Sequence, residues 1–287
     1  MNGIVIIDKP QDWTSQDVVS KLRGVLHTKR IGHGGTLDPM ATGVLPVFVG
    51  RGTRAVEFFE HAEKTYEAVI RLGITTTTDD ITGEVLEKQT VNVTKEAFLS
   101  ILEQFRGEIQ QIPPMYSALK INGQKLCDLA RKGKEVERKP RTITIHKLEC
   151  LDFHGETAVL RVACSKGTYI RTLCKDIGAA LGCGGCMESL RRVAAGAYTI
   201  GEAVPLQTLI DAQNPEDYLR PVDTMFTHYP SVTLTAKQEI RCRNGNSFSI
   251  DLAEGTYRAY GENGEFLMLA KVDSGVMSTI KSFFEVQ

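Results

Sequence analysis

The sequence of 287 residues lacks both a long apolar segment and an excess of charge of either sign. The formal net charge is −1 at pH 7, so a polyanionic partner would have to be bound by local basic patches rather than by the field of the whole protein. No stretch approaches the roughly 18 apolar residues that a membrane-spanning helix needs. Residues 1–9 have neither the apolar length nor the basic lead of a signal peptide. These absences predict a cytoplasmic protein with no membrane partner.

The sequence also lacks a complete metal-binding or redox motif. Its seven cysteines are an odd number and are scattered, which favours reduced thiols in a cytoplasmic protein. Cys183 and Cys186 form a single C-x-x-C pair, whereas a structural zinc site normally needs four ligands. Other cysteines and histidines could complete such a site, but their spacing does not require it. We therefore expect ordinary buried or loop thiols and no metal centre.

What the sequence does contain is a glycine-rich loop that carries one carboxylate. Gly32, Gly34 and Gly35 allow close approach of the backbone to a ligand, or positive φ angles. Pro39 restricts Asp38 to the extended region, so the acid lies at a stiffened point. The loop matches neither a Walker A sequence nor G-x-G-x-x-G, which argues against a phosphate cradle. It fits a catalytic carboxylate, and it also fits a turn in which Asp38 accepts local N–H groups.

Apolar periodicity predicts a protein of mixed helices and strands. The main predicted strands are residues 3–7, 43–49, 65–72, 143–153 and 158–165. The main predicted helices begin at Thr14, Thr94 and Thr168. After about residue 230, short β segments separated by Asn-Gly and Glu-Gly turn signals predict a small all-β unit. We expect two domains, residues 1–228 and 229–287.

Basic residues are concentrated at residues 131–141, where six basic side chains and two acidic ones give a net charge of +4. The segment is predicted to be a hairpin that contacts phosphates, although a flexible charged loop would have the same composition. Basic residues also lie beside aromatic ones at residues 64–66 and 165–171. Such pairs suit RNA recognition, but each alone also fits a packed core with solvated charges.

Six motifs follow one another along the chain. They are Ile7-Asp8-Lys9-Pro10, Gly32-His33-Gly34-Gly35-Thr36-Leu37-Asp38-Pro39-x-Ala41-Thr42-Gly43, Lys64-x-Tyr66, Gln111-Ile112-Pro113-Pro114-Met115-Tyr116-Ser117-Ala118-Leu119-Lys120, Cys164-Ser165-Lys166-Gly167-Thr168-Tyr169-Ile170-Arg171 and Leu190-Arg191-Arg192. Their identity and order resemble the bacterial TruB family of tRNA pseudouridine-55 synthases over about residues 3–200. The tail after residue 230 is similar to the family's small RNA-binding PUA domain.

The resemblance implies a fold and a reaction. The fold would be an α+β pseudouridine synthase domain with a mixed, largely antiparallel sheet and a central cleft, followed by a PUA-like domain. The reaction would be isomerisation of uridine 55 in the T-arm loop of tRNA, with base flipping and with no cofactor or metal. Residues 131–141 fall where the family has a mobile RNA-clamping insertion, so we expect them to be poorly ordered without RNA.

The resemblance also implies roles for eight residues. Asp38 matches the catalytic carboxylate, Arg171 its basic partner, and Tyr66 the aromatic residue that stacks on the target base. The substrate-binding residues implied are His33, which enters the RNA where the base was flipped out, Lys9 and Lys64 as electrostatic supports, Asp80 as a polar contact, and Leu190 in the uracil pocket. Attack at the sugar C1′, addition at uracil C6 and a glycal route all remain open.

Two other functions are compatible with these motifs. In a tRNA-folding or RNA-binding module, Asp38 would be only structural. A guide-RNA-dependent synthase subunit would need a second RNA. The form Gly32-His33-Gly34-Gly35 and the basic insertion resemble those of the stand-alone bacterial enzymes, so we expect a monomer that acts on tRNA without guide RNA.

Overall fold

In the computed structural model, which describes residues 1–117, 119–121 and 123–285, a large sheet and a smaller sheet account for most strands. The strands are β1 (Gly3–Lys9), β2 (Ile31–His33), β3 (Thr42–Val49), β4 (Lys64–Leu72), β5 (Ile74–Thr76), β6 (Val85–Lys88), β7 (Gly107–Gln111), β8 (Lys120–Ile121), β9 (Gln124–Lys125), β10 (Arg141–Phe153), β11 (Thr157–Cys164), β12 (Gly185–Ala195), β13 (Tyr198–Thr199), β14 (Val204–Pro205), β15 (Ser231–Thr233), β16 (Phe248–Ser249), β17 (Gly255–Tyr260), β18 (Phe266–Asp273) and β19 (Val276–Ser282).

The helices are short and lie between the strands. They are α1 (Ser15–Val25), α2 (Val56–Phe59), α3 (Lys95–Leu102), α4 (Leu126–Ala130), α5 (Ile170–Ala180), α6 (Leu206–Asp211) and α7 (Ala236–Arg243). Further 3₁₀ segments are Gly50–Ala55, Glu103–Phe105, Ile200–Glu202, Pro215–Tyr218 and Val222–Phe226. Within the described ranges, none of the helices has both the length and the apolarity required to cross a bilayer.

The large sheet is mixed and largely antiparallel, as expected. Its strand order is β14-β1-β3-β12-β4-β11-β10-β7, with β2 paired to β3 and β13 paired to β12. Among the strand pairs described, β1 with β14 and β3 with β12 are parallel, and the others in this sheet are antiparallel. The parallel pair β3–β12 lies in the middle of the sheet, and it brings residues 42 and 43 alongside residues 191 and 192.

Sequence pattern explains which strands are central. The apolar run in β3 is buried on both faces, and β1 beside it is almost completely buried. β4 alternates between buried and half-buried residues, which is the two-residue period of a strand with one core face. Helix α1 covers β1 and β3, and it begins at the capping box formed by Thr14 and Asp17.

The smaller sheet, of order β15-β17-β18-β19-β16, contains the residues predicted to be β-rich. It is packed against the large sheet and not merely tethered to it. Phe226, Leu269 and Phe283 belong to the same apolar cluster as Ile4 and Phe48 of the large sheet. The two parts of the chain therefore share a hydrophobic core.

The prediction of a hairpin at residues 131–141 is wrong. Residues 131–133 form a turn after α4, and residues 134–140 have no regular structure. The next strand along the chain, β10, begins at Arg141. This end of β10 pairs with β7, and not with residues 131–140 as a hairpin would require. Pro140 also lacks the N–H that a hairpin ladder would use.

Candidate active site

A cavity of about 340 Å³ opens beside strands β4 and β12. Its lining comes from six parts of the chain: residues 34–38, residues 56–60 in and after α2, the beginning of β4, Ser117, the turn at 165–171 that leads into α5, and alternate residues of β12. Five of the eight residues implied by the sequence motifs line it: Asp38, Lys64, Tyr66, Arg171 and Leu190.

Asp38 lies on the loop between β2 and β3, where the neighbouring backbone is held tightly. The buried Ser15 hydroxyl of α1 accepts a hydrogen bond from the Leu37 N–H at 2.9 Å and donates to the Leu37 carbonyl at 3.2 Å. On the other side, the Ala41 N–H donates to the Asp38 carbonyl at 3.0 Å. The glycine loop therefore presents its carboxylate from a fixed backbone.

Lys9 holds the backbone on the C-terminal side of Asp38 through its buried side chain. Its side chain is completely buried, and its ammonium donates to the carbonyls of Pro10 at 2.8 Å, Trp13 at 2.6 Å and Pro39 at 3.1 Å. Burial lowers the pKa of Lys9 to about 8. These three hydrogen bonds hold the backbone next to Asp38 from inside the protein, and the contact of Lys9 with substrate stays a prediction.

Arg171 joins three separate chain segments. Its Nε lies 2.9 Å from Oδ2 of Asp38 and 3.7 Å from Oδ2 of Asp80. Its Nη1 donates to the Thr78 carbonyl at 3.1 Å, and its Nη2 donates to the Tyr116 carbonyl at 2.7 Å. The Arg171 side chain is only 6% exposed, whereas that of Asp38 is 37% exposed. The pair thus has a buried cation and a carboxylate that a substrate can reach.

Asp80 was expected to contact the substrate, but its side chain is only 7% exposed. Its Oδ1 accepts hydrogen bonds from the Thr78 hydroxyl at 2.8 Å and the Thr82 N–H at 3.0 Å. Its other oxygen faces Arg171. The threonine-rich loop therefore satisfies this carboxylate internally, and Asp80 is not among the residues that line the cavity. Its contact with substrate stays a prediction.

The beginning of α5 is held by a side chain from another element. Both groups of the Gln111 carboxamide are used: Oε1 accepts from the Tyr169 N–H at 2.8 Å, and Nε2 donates to the Tyr169 carbonyl at 3.0 Å. The helix accordingly begins at Ile170 and not at Thr168, as the sequence pattern predicted. Arg171 lies in this first turn, so Gln111 helps to fix its direction.

The ionisation of Asp38 is set by opposing effects. Burial raises the pKa of Asp38 above its ordinary value, and the negative charge of Asp80 raises it further. The guanidinium of Arg171 acts in the opposite direction, both by its charge and by its hydrogen bond. Arg171 thus keeps available the charged form that burial disfavours.

Tyr66 and Leu190 form the apolar wall of the cavity. Both are buried, at 9% and 8% exposure, and they lie on the adjacent strands β4 and β12. Burial raises the pKa of the Tyr66 phenol. The ammonium of Lys64, two residues before Tyr66, donates to the Glu60 carbonyl at 3.4 Å, and burial lowers its pKa. An aromatic face, an aliphatic wall and a cation suit a nucleotide base and its phosphate.

His33 lies at the end of β2, outside the set of residues that line the cavity. Its side chain is half-buried, and its Nδ1 has no hydrogen-bond partner among the described residues. Burial lowers the pKa of His33, which favours a neutral ring. Its insertion into RNA stays a prediction.

Sequence reasoning missed the individual role of Arg192, which is fully buried and lines the cavity. The motif Leu190-Arg191-Arg192 had suggested only a doubled positive charge. The two-residue period of a strand was the available signal, since Arg192 must face the same side as Leu190.

The cysteines form no bond with one another. All seven are free thiols, and both Cys183 and Cys186 are buried. In the part of the chain that the structure describes, no three His, Cys, Asp or Glu side chains are grouped so that they could hold a metal ion.

Comparison with protein families gives two matches that together cover most of the chain. Residues 23–170 match the N-terminal domain of the TruB family of pseudouridylate synthases, and residues 171–227 match the C-terminal domain of tRNA pseudouridylate synthase B. The chain belongs to the TruB family. The family that the motifs suggested is therefore confirmed, and the protein is a pseudouridine synthase.

Curated relatives extend the match to nearly the whole chain. A tRNA pseudouridine synthase B of Stutzerimonas stutzeri is 44% identical over 280 residues, covering 95% of this chain and 92% of the relative. One of Dechloromonas aromatica is 45% identical, with 91% and 89% covered, and one of Clostridium kluyveri is 43% identical, with 93% and 94% covered.

Solved structures confirm the fold. A Cbf5–Nop10–Gar1 complex contains a chain that superposes with a TM-score of 0.73 at 26% identity, covering 99% of this chain and 85% of that one. An H/ACA ribonucleoprotein bound to a substrate RNA also gives 0.73, at 23% identity, with 99% and 86% covered. The mixed α+β sheet with a separate β-rich C-terminal region is thus the TruB-type pseudouridine synthase fold.

Proposed function

We propose that this TruB-family enzyme converts uridine 55 in the T-arm loop of tRNA into pseudouridine. The observation that carries the proposal is the half-exposed Asp38 carboxylate, held 2.9 Å from a buried arginine at the edge of a base-sized cavity. Relatives at 43–45% identity are named tRNA pseudouridine synthase B, which supports tRNA as the substrate.

The reaction is an isomerisation, so no atom is gained or lost overall. The C1′–N1 bond breaks, the C1′–C5 bond forms, the proton on C5 is removed, and N1 carries a proton in the product. A carboxylate can act in this sequence as a nucleophile or as a base. The three routes all place Asp38 beside the reacting ribose or base.

The surrounding residues have complementary tasks in this proposal. Tyr66 stacks on the uracil and Leu190 packs against its edge, while Arg171 keeps Asp38 ionised and oriented as the bound RNA excludes water. The uridine reaches this cavity only if it is flipped out of the loop, which costs a few kcal/mol that stacking must offset. His33 fills the space that the base leaves, and Lys64 supports the backbone phosphate.

The flanking regions would bind the rest of the tRNA. Residues 131–141 are basic, and Arg138 among them donates to the Pro113 carbonyl at 3.3 Å, three residues before the Tyr116 carbonyl that accepts from Arg171. Residues 229–287 would serve as a PUA-like RNA-binding domain after a catalytic domain formed by residues 1–228. The enzyme is proposed to act as a monomer, without cofactor or guide RNA.

The test uses purified protein and an unmodified tRNA transcript, with no guide RNA or added metal. Pseudouridine is mapped by carbodiimide labelling and primer extension. A single new stop is expected at residue 55 of the tRNA, and it should be absent with Asp38→Asn and with a transcript that carries cytidine at that position. Binding of tRNA without any stop would contradict the proposal and favour an RNA-binding module or a guide-dependent enzyme.

A further inference from the structure

Strand β12 carries two consecutive arginines that face opposite sides of the sheet. Arg191 is half-exposed, and its guanidinium contacts Asp8 at 2.7 Å and Thr42 at 3.2 Å. Arg192 is only 1% exposed and lies among the residues that line the cavity. The two side chains have the same chemistry in different surroundings, so each is a control for the other.

The guanidinium of Arg192 contacts both ends of the segment that carries Asp38. Its Nε donates to the Val44 carbonyl at 2.7 Å, and its Nη2 donates to the Gly35 carbonyl at 3.1 Å. The planar fork of an arginine can make two such bonds with little loss of freedom, which a lysine ammonium on a flexible chain cannot reproduce. Arg192 therefore closes the loop from residue 35 to residue 44.

The charge of Arg192 has no carboxylate partner. Among residues 1–117, 119–121 and 123–285, no carboxylate oxygen lies within 4.0 Å of its nitrogens. A buried cation without an ion pair is costly for the fold. Its positive charge lowers the pKa of Lys64 and His33, and it opposes the effect of burial on the pKa of Tyr66. The residue thus contributes to the electrostatics of the cavity as well as to its shape.

We propose that Arg192 is a positioning residue for the isomerisation, which ties the loop 35–44 so that Asp38 faces the target ribose and places a fixed positive charge next to Tyr66. The proposal rests on the function proposed above. It assigns Arg192 to the chemical step and not to RNA affinity, because its nitrogens are buried against backbone carbonyls.

The test compares Arg192→Lys and Arg192→Gln with the matched variants Arg191→Lys and Arg191→Gln. Single-turnover rate constants are measured with saturating enzyme, and the Kd for tRNA is measured separately. Arg192→Lys should lower the rate constant about 10²-fold, the size of effect that a displaced catalytic group produces, with Kd unchanged. Both Arg191 variants should keep the wild-type rate constant.

A second measurement does not depend on activity. Backbone amides of residues 34–43 should exchange with deuterium faster in Arg192→Lys than in Arg191→Lys, with no increase in the rest of the sheet. A wild-type rate constant in Arg192→Lys, a loss confined to Kd, or an equal rise of exchange throughout the protein would each overturn the proposal. If Arg192→Gln fails to fold, Arg192→Lys decides. Inactive wild-type protein would contradict the proposed function, and the exchange data would still test the loop contact.

Discussion

At the scale of single residues, opposing effects of burial and of neighbouring charges set the pKa of Asp38. Removing the charge of Asp80 should lower the pKa of Asp38, because that charge now raises it. Since the proposed mechanism needs the carboxylate, Asp80→Asn should move the acidic limb of kcat/KM to lower pH, with the exposed Asp152→Asn as control. A pH–rate profile measures this shift. A limb that moves to higher pH would contradict it and show that Asp80 acts mainly by holding Arg171.

The raised pKa of Asp38 also predicts how its substitution changes the free energy of unfolding. Because the pKa of Asp38 is raised in the folded protein, its ionised form is less favourable there than in the unfolded chain. The neutral Asp38→Asn variant should therefore be more stable than wild type at pH 7. This advantage should shrink as the pH falls through the folded pKa and disappear below the unfolded one. Urea denaturation at several pH values measures it, and a less stable variant at pH 7 would refute it.

At the scale of elements, the contact between β3 and β12 depends on one glycine. Gly43 has φ +101°, and a Cβ there would lie 2.2 Å from the Arg192 carbonyl oxygen. Gly107 has φ +79° with open space around it. Gly107→Ala should cost about 1 kcal/mol for its positive φ alone. Gly43→Ala should cost more than about 3 kcal/mol because backbone blocks the new methyl group. Urea denaturation compares them, and equal costs would contradict the packing argument.

Residues 131–140 are a second element whose behaviour can be predicted. They have no regular structure, and the contact of Arg138 with the Pro113 carbonyl, at 3.3 Å, is one of few that tie them to the fold. Trypsin should cleave this segment first in the free protein, and bound tRNA should protect it. Gel analysis with and without tRNA tests this. Equal cleavage in both states would argue against contact with RNA.

At the scale of the whole molecule, the shared core predicts that both sheets unfold together. Phe283 is 3% exposed in the cluster that links the sheets, whereas Ile280 is 42% exposed. Phe283→Ala should cost about 3–5 kcal/mol, and Ile280→Ala little. The single tryptophan, Trp13, lies in the N-terminal part, so its fluorescence reports on the large sheet. The urea unfolding transition followed by Trp13 fluorescence should move to lower urea in Phe283→Ala and should coincide with the transition followed by circular dichroism. A fluorescence transition that does not move would show that the two sheets unfold independently.

Local chemistry explains which predictions from sequence are confirmed. The alternation in β4 and the capping box of α1 each depend on residues within a few positions of one another. The family motifs likewise identified Asp38 and Arg171 as partners, and the structure brings them within hydrogen-bond distance. The prediction of a hairpin at residues 131–141 is wrong because the turn residues there do not indicate which strand pairs with β10. In the structure that strand is β7.

The sequence by itself determined the family, the α+β class and the loop that carries Asp38, because these depend on short-range patterns and ordered motifs. Only the tertiary structure decided which contacts the individual side chains make. Lys9 is buried against the loop that carries Asp38, Asp80 faces Arg171, and Arg192 lines the cavity whereas Arg191 does not. These outcomes depend on which backbone carbonyls lie within reach of each side chain. The contacts join residues that are far apart in sequence, and the strand register that brings such residues together depends on both strands of a pair and not on either one alone.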